Sequence, residues 1–267
     1  MTKSRRHLVI PDVQAKSDID FSFLTAIGRY AAAKKPDVIL VGGDFADLPS
    51  LSSYDIGKKC FEGRTYEQDI NAAKRAMDAL MTPIHNEIKR QQRNQKKMWI
   101  PELYLVLGNH EDRITRAINS DRKLDGLIGL NDLGYELHGF KVFPFLQVIT
   151  IDGIAYSHYF TSGAMGRPIG TAPALLSKLH QSCFAFHQQG RQISYGKRAD
   201  GRSLTAILCG SCYEHDEGYM GLQGNKHWRG CYMLNDVVDG EFDEMPLSIK
   251  YLKNKYLNQK EASWTTK

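Results

Sequence analysis

The chain has 267 residues, of which 42% are hydrophobic and 24% are charged. That balance is typical of a globular protein and excludes a fibrous or largely disordered one. A net charge of +5 permits an anionic ligand without requiring one. No apolar run approaches the ~20 residues needed to cross a bilayer, and no secretion signal is visible. We therefore expect a cytoplasmic protein without membrane contact, whose five cysteines are reduced.

Strands and helices alternate through the first half of the chain. Aliphatic runs predict strands at residues 7–10 and 38–41, and helical spacing of apolar residues predicts a helix over 21–35 that Pro36 ends. A longer helical pattern covers 70–88, where Pro83 is expected to kink or split the helix. The next strand is predicted at 103–107. This order of elements is typical of a largely parallel sheet.

The second half of the chain is richer in strands. Asp152 and Gly153 form a turn dipeptide that joins predicted strands at 145–151 and 154–157 into a hairpin. A strand is predicted at 230–234, followed by a second turn at Asp239 and Gly240. No repeat or linker marks a boundary, so we expect a single domain over 1–267, with a polar C-terminal tail at about 257–267.

Polar side chains follow several predicted strands at the point where each strand ends. Asp12 and Gln14 follow the first strand, Asp44 the second, Asn109 the third, and His158 a later one. Ligands collect at the carboxyl ends of parallel strands, so these groups are expected to meet in one crevice. Taken singly, each is more often a helix cap, a turn residue or a structural histidine than a metal ligand. Together, these carboxylate, amide and imidazole groups favour a divalent metal such as Mn, Mg or Fe over a structural zinc cage.

These motifs resemble those of the calcineurin-like metallophosphoesterases, which run Asp-x-His, Gly-Asp-x-x-Asp, Gly-Asn-His-Glu, a lone His and Gly-His-x-His. In this chain the matching segments are DVQ at 12–14, GDFAD at 43–47, GNHE at 108–111, His158 and FHQQ at 186–189. The run GDFADLPSLSSYD is similar to phage and prophage members, which implies the cytosol of a bacterium or of a phage-infected host. The resemblance implies an α/β layered fold, in which two mixed β-sheets pack together and are flanked by helices.

The resemblance also implies two divalent metal ions, with Mn favoured and Mg, Fe or Zn possible. One ion would be held by Asp12, Gln14, Asp44 and Gln189, and the other by Asp44, Asn109, His158 and His187. Both departures from the family pattern fall on the first ion, where Gln14 and Gln189 replace histidines. Either the glutamine oxygens serve as neutral ligands and shift the preference towards Mn or Mg, or the first site is weakened. The register of the last motif is also open, and we align His187 with its first histidine.

The activity implied by the resemblance is hydrolysis of phosphate esters by a hydroxide that bridges the two metals. His110 is the expected catalytic residue, acting at the leaving oxygen, and Asn109, His110 and Arg198 are expected to bind substrate. The basic charge and the phage-like run favour phosphodiesters, so DNA, RNA or a nucleotide is the expected partner. Two alternatives are a phosphomonoesterase of proteins or small metabolites, and a degenerate member that binds nucleic acid or protein without catalysis. The sequence predicts no oligomeric state.

Overall fold

The computed structural model describes residues 3–257, which form two large β-sheets, one two-stranded sheet and six α-helices. The strands are β1 (Arg5–Ile10), β2 (Val38–Val41), β3 (Glu102–Val106), β4 (Lys141–Phe143), β5 (Ile149–Ile151), β6 (Ile154–Ser157), β7 (Thr161–Ser162), β8 (Arg167–Pro168), β9 (Cys183–Ala185), β10 (Gln192–Lys197), β11 (Ser203–Leu208), β12 (Gly230–Val238) and β13 (Glu241–Ser248). The helices are α1 (Ser22–Lys34), α2 (Tyr66–Arg93), α3 (Asp112–Ser120), α4 (Ala172–Leu179), α5 (Gly221–Gly224) and α6 (Ile249–Tyr256).

Both large sheets mix parallel and antiparallel neighbours. The first has the order β13-β12-β1-β2-β3-β4, in which β1, β2, β3 and β4 run parallel, β12 is antiparallel to β1, and β13 is antiparallel to β12. The second has the order β10-β11-β9-β6-β5, in which β11, β9 and β6 are parallel and each edge strand is antiparallel. Strands β7 and β8 form a separate small hairpin.

Three apolar clusters hold these layers together. One lies between the first sheet and helices α1, α2, α3 and α6, and a second joins the facing sides of the two sheets. The third packs α4 onto the outer face of the second sheet. The order helix, sheet, sheet, helix confirms the predicted fold of two packed mixed sheets flanked by helices. It also directs the carboxyl ends of the central parallel strands towards one edge.

Pro83 was expected to kink or split helix α2; the helix runs continuously through this proline, so the expected split is wrong. Met81 and Ile84 on either side of it are buried, and α1 packs closely against this part of α2. A Cβ on Gly28 of α1 would lie 2.2 Å from the Leu80 carbonyl oxygen, so only glycine permits this approach. Burial of the apolar face outweighs the hydrogen bond that proline removes, a loss of about 3 kcal/mol in an exposed helix.

The predicted strands are present with shifted ends. Both hairpin turns are confirmed, since Ile151 pairs with Ile154 across the first and Val238 with Glu241 across the second. The strand predicted at 145–151 is wrong at its start, because only Ile149–Ile151 is extended and Leu146 has a left-handed φ of 67°. Most of the predicted polar tail, residues 258–267, lies outside the described residues. Within the described part of the chain no helix is long and apolar enough to cross a membrane.

Candidate metal centre

The loops that carry the predicted ligands meet at the edge where the central parallel strands end. The β1 and β2 loops are joined by backbone hydrogen bonds from Gln14 N to Asp44 O (2.8 Å) and from Ala15 N to Phe45 O (2.7 Å). The two sheets are joined there as well, because Cys212 N after β11 donates to Asp12 O at 2.7 Å. Residues from both sheets therefore reach one common site.

Three predicted ligands form a compact cluster. One ligand atom each of Asp44, His158 and His187 lies within 4.8 Å of the others. His158 Nε2 is 3.4 Å from Asp44 Oδ2 and 3.0 Å from Asn109 Oδ1. The whole donor set predicted for the second metal therefore converges. Two imidazoles, a carboxylate and an amide oxygen suit a borderline divalent cation.

The ring orientation of His158 is fixed for this role. Its Nδ1 lies 2.9 Å from the carbonyl oxygen of Gly42, which can only accept a hydrogen bond. Nδ1 must therefore carry a hydrogen, so that Nε2 faces Asp44 and Asn109 and offers its lone pair there once a metal has displaced its proton. A metal-binding histidine is commonly held by such a hydrogen bond at its second nitrogen.

The donor set predicted for the first metal also fits a cation. Asp12 is fully buried, its Oδ1 accepts from His187 N at 3.1 Å, and its Oδ2 is buried without a hydrogen-bond partner. Gln189 Oε1 is likewise buried without one, while Gln14 lines the adjoining cleft. Two unpartnered buried oxygens would cost several kcal/mol unless a cation or water satisfies them. Gln189 Oε1 is thus an oxygen acceptor without a partner, and its binding to a metal stays a prediction.

The charges in the cluster perturb each other strongly. Burial raises the pKa of Asp12 to about 7, against the attraction of His158. Burial also acts to raise the pKa of Asp44, but His110 and His158 outweigh it and the pKa falls well below its usual range. Burial lowers the pKa of His158, yet Asp44 and Asp12 together raise it to about 9. Protons and divalent cations would compete for these groups.

The pKa of His187 is shifted in the opposite direction to that of His158. Burial, reinforced by the positive charge of His158, lowers the pKa of His187 to about 4. Its imidazole is therefore neutral at physiological pH, which is the form that binds metals. The two rings lie edge to face with centroids 5.3 Å apart.

Three of the predicted ligands have a strained backbone. Gln14, Asp44 and His187 have φ values of 49°, 45° and 67°, in the left-handed region that side-chain-bearing residues rarely occupy. Gly43, with φ of 90°, precedes Asp44, and a Cβ on Gly108 would lie 2.1 Å from Asp44 Oδ1. Such strain is concentrated at functional sites, where the surrounding structure maintains it.

His110 lies beside the cluster and is held by a carboxylate. Its Nδ1 is 2.9 Å from Asp47 Oδ1, its Nε2 is 3.7 Å from Asp44 Oδ2, and its backbone N–H donates to Asp44 Oδ1 at 2.8 Å. Burial lowers the pKa of His110, but Asp44 and Asp47 outweigh burial and raise it. The side chain is therefore aimed at the cluster and tends to carry a proton.

Glu111 is the functional residue that sequence reasoning did not assign. It is fully buried, and its carboxylate accepts from the backbone N–H groups of Asp44 (2.9 Å), Ala46 (2.9 Å) and Gly108 (2.8 Å) and from the Tyr135 hydroxyl (3.2 Å). Burial and the charge of Asp44 raise its pKa. One side chain thus fixes the loops after β2 and β3 relative to each other. The GNHE motif marked Glu111 in the sequence, but it did not show which groups the carboxylate contacts.

A cleft of about 830 Å³ opens over the cluster. The wall of the cleft that faces the cluster is lined by Asn109, His110, His187 and Gln14. Residues from the segment 52–64 form part of the surrounding wall. Six acidic and four basic residues from the described part of the chain line this cleft: Asp18, Asp47, Asp55, Glu62, Asp69, Glu217, Lys16, Lys58, Arg64 and Arg113. The lining therefore has no excess of positive charge.

Arg198, predicted to bind substrate, is not brought to this site. It follows β10 at the end where Lys197 pairs with Ser203, whereas the cluster lies at the end where Gln192 pairs with Leu208. The length of a six-residue strand, about 20 Å, separates these ends. Arg198 instead lies 3.6 Å from Asp200 on an exposed turn. We correct the prediction for this residue because β10 runs away from the cluster and Arg198 begins the turn at its far end.

Phe186 occupies the place of the glycine in the last family motif. Its ring is fully buried and packs on Gly42, where a Cβ would lie 2.2 Å from the ring atom Cδ1. The larger side chain at 186 is thus accommodated by the absence of one at 42. It fills the space between the two sheets without displacing His187 from the cluster.

One comparison with known proteins identifies a family. A family model described as calcineurin-like phosphoesterase matches residues 6–181, well over half of the chain. The match includes Asp12, Asp44, Asn109 and His158 but ends before His187. No curated protein matches the chain. One crystal structure covers 92% of this chain and 100% of its own, at 10% sequence identity and a TM-score of 0.42. The chain belongs to the calcineurin-like phosphoesterase family.

Proposed function

We propose that this protein hydrolyses phosphodiesters, with two divalent metal ions held by the predicted ligands and Mn favoured. The family supports metal-dependent hydrolysis of phosphate esters in general. The observation that carries the proposal is the convergence of Asp44, His158 and His187 beneath an open cleft. When bound, the metals would supply positive charge to the phosphate oxygens and activate the attacking water.

The roles of the chain's own residues follow from their contacts. Asp44 lies centrally, with its carboxylate directed at both His158 and His110, and is the expected bridge between the metals. His110 is oriented by Asp47, so that its Nε2 faces the cluster and can donate a proton to the departing oxygen. Asn109, beside His158, is placed to contact the phosphate.

The charge of the cleft favours diesters over monoesters. Each of its four basic side chains is already paired with a carboxylate: Lys16 with Glu217 (2.7 Å), Lys58 with Asp55 (3.0 Å), Arg64 with Asp55 (2.9 Å) and Arg113 with Asp47 (3.7 Å). Near neutral pH a phosphomonoester carries about −1.5 to −2 charge, whereas a diester carries a single one. Within the described residues no spare cation in the cleft balances the additional charge.

The same lining favours a small diester or nucleotide over DNA or RNA. Affinity for a nucleic-acid backbone depends on lysine and arginine that neutralise successive phosphates. Here acidic residues outnumber basic ones in the cleft. The resemblance to phage members rests on the sequence GDFADLPSLSSYD at 43–55 alone. It is a weaker argument, in favour of a nucleic-acid substrate.

One observation favours a second function. Gln14 and Gln189 replace histidines in the first metal site, which is expected to weaken Zn or Fe binding there. A protein with a poorly filled first site would bind its partner without turnover. The unpartnered Gln189 oxygen argues for an intact site and therefore for catalysis.

The test starts from protein stripped by a chelator and reloaded with Mn, Mg, Zn or Fe. Bis(p-nitrophenyl) phosphate should be hydrolysed faster than p-nitrophenyl phosphate, with Mn most effective. His158→Ala and Asp44→Asn should each abolish the activity while the fold is retained in circular dichroism. Hydrolysis that survives complete metal removal, or full activity in His158→Ala, would contradict the proposal. A preference for the monoester would support the phosphatase alternative.

A further inference from the structure

An ion pair lies on the cleft wall next to His110. Lys16 Nζ is 2.7 Å from Glu217 Oε1, and both side chains line the cleft with part of their surface exposed. Lys16 Nζ also lies 3.9 Å from Asp47 Oδ2, and the other oxygen of Asp47 contacts His110. The pair is therefore on the side of the cleft from which His110 is expected to act on the leaving oxygen.

Neighbouring residues fix both the side chain and the backbone of Glu217. His215 Nε2 lies 2.7 Å from Glu217 Oε1, and the ring of His215 stacks on Tyr213 with centroids 4.4 Å apart. The backbone of Glu217 is fixed by Asn225, which accepts from its N–H at 2.8 Å and donates to its carbonyl oxygen at 2.9 Å. Such preorganisation lowers the entropy lost when a ligand binds.

Both members of the pair keep hydrogen-bonding capacity for a ligand. Glu217 Oε1 takes the contacts from Lys16 and His215, and among the side chains and backbone groups that the structure describes no donor is bonded to its Oε2. The ammonium of Lys16 has three N–H groups, of which one is directed to Glu217. Burial acts to raise the pKa of Glu217, but the hydrogen bonds from His215 and Lys16 outweigh it and keep the carboxylate ionised.

A positively charged donor next to a negatively charged acceptor favours a ligand group that can bond to both. Their charges cancel, so an additional anion gains little there and would face the carboxylate. A hydroxyl group donates and accepts at once, so it satisfies both partners. A hydrogen bond to a charged group contributes about 1.5 to 3 kcal/mol, which is roughly ten- to hundredfold in binding.

We propose that the Lys16–Glu217 pair binds hydroxyl groups of the leaving alcohol, so that this enzyme prefers diesters of polyhydroxylated alcohols such as sugars or glycerol. The inference rests on the proposed diester hydrolysis and specifies the substrate class of the same site. Lys16 and Glu217 are substrate-specificity residues in this account, separate from the metal ligands.

The test compares two diesters of equal charge and chain length, bis(2,3-dihydroxypropyl) phosphate and dipropyl phosphate, with release of alcohol measured by chromatography. The wild-type protein should show a kcat/KM ratio of about ten- to hundredfold in favour of the hydroxylated ester. The double variant Lys16→Met/Glu217→Gln removes both charges together and should bring the ratio close to one. Lys16→Arg keeps the donor and should retain most of the preference. Lys58→Met removes another cleft lysine and serves as the matched control, with an unchanged ratio.

Equal kcat/KM values for the two esters in the wild-type protein would overturn the inference, as would an unchanged ratio in the double variant. If neither ester is hydrolysed, the proposed function fails separately. The ratio of the two dissociation constants, measured by calorimetry on the Mn-loaded protein, then decides the inference. A tenfold or larger ratio that disappears in the double variant supports it, and equal dissociation constants refute it.

Discussion

Replacing Glu111 with glutamine tests whether one buried carboxylate holds the metal loops in place. Its Oε2 accepts from the N–H groups of Asp44 and Gly108, and its Oε1 accepts from the N–H of Ala46 and the Tyr135 hydroxyl. A glutamine keeps one acceptor oxygen, and the tyrosine hydroxyl can turn to accept from the new amide. The N–H of Ala46 then has no partner. Truncation to alanine removes all four hydrogen bonds.

The magnitudes follow from the number of unpaired buried groups. Each unpaired N–H costs about 1 to 3 kcal/mol, so glutamine should destabilise the protein by that amount and alanine by about three times as much. At about 2 to 4 °C per kcal/mol for a large domain, Glu111→Gln should lower the Tm by roughly 2 to 12 °C. Because the loops of Asp44 and Asn109 loosen together, metal affinity should fall about 10- to 100-fold.

Two measurements check this prediction. Thermal unfolding followed by circular dichroism gives the Tm, and titration with Mn gives the affinity. Glu136→Gln makes the same chemical change at an exposed glutamate and should leave both values unchanged. A Tm within about 1 °C of wild type in Glu111→Gln, together with unaltered Mn affinity, would refute the assigned role of this carboxylate.

Three further predictions concern other parts of the molecule. Burial lowers the pKa of His7 in the folded protein despite its contact with Asp152. As the pH falls, His7 is therefore protonated in the unfolded chain before it is protonated in the folded one, and stability should decrease below about pH 6.5. Between neutral and mildly acidic pH, the Tm of His7→Gln should fall by less than the Tm of the wild-type protein. Gln14→His/Gln189→His should shift metal content towards Zn and Fe in elemental analysis, and an unchanged content would show that neither glutamine binds metal. A Cβ on Gly42 would meet Phe186, so Gly42→Ala should cost about 1 to 3 kcal/mol in urea unfolding, and the double variant Gly42→Ala/Phe186→Leu should lose less than the sum of the two single losses.

Much of the site could be predicted because its signals are local. Asp12, Asp44 and Asn109 each come directly after a short aliphatic strand, and the carboxyl ends of parallel strands meet at one edge. The alternation of elements predicted a largely parallel sheet, and the packing of two mixed sheets followed from the family resemblance. The hairpin between β10 and β11 turns at Asp200 and Gly201, the same dipeptide that marked the other two turns, but this signal was not used, and Arg198 was therefore expected at the wrong end of its sheet.

The remaining features depend on contacts between distant parts of the chain. Glu111 and Asp44 are separated by 67 positions, and Lys16 and Glu217 by 201. A glutamate within a motif is equally compatible with a helix cap, and only the packed loops show that it accepts three backbone N–H groups. Similarly, the continuity of α2 through Pro83 depends on the close approach of Gly28 from another helix.

The left-handed backbone at Gln14, Asp44 and His187 has a consequence for metal uptake. A loop that became ordered only around its ion would lose conformational entropy on loading, and uptake would be slow and accompanied by a large structural change. Here the unfavourable torsions are maintained by interlocking protein contacts, so the coordination geometry is set during folding. Metal binding should therefore leave the protein backbone nearly unchanged. Backbone amide resonances outside the immediate ligands should shift little on addition of Mg.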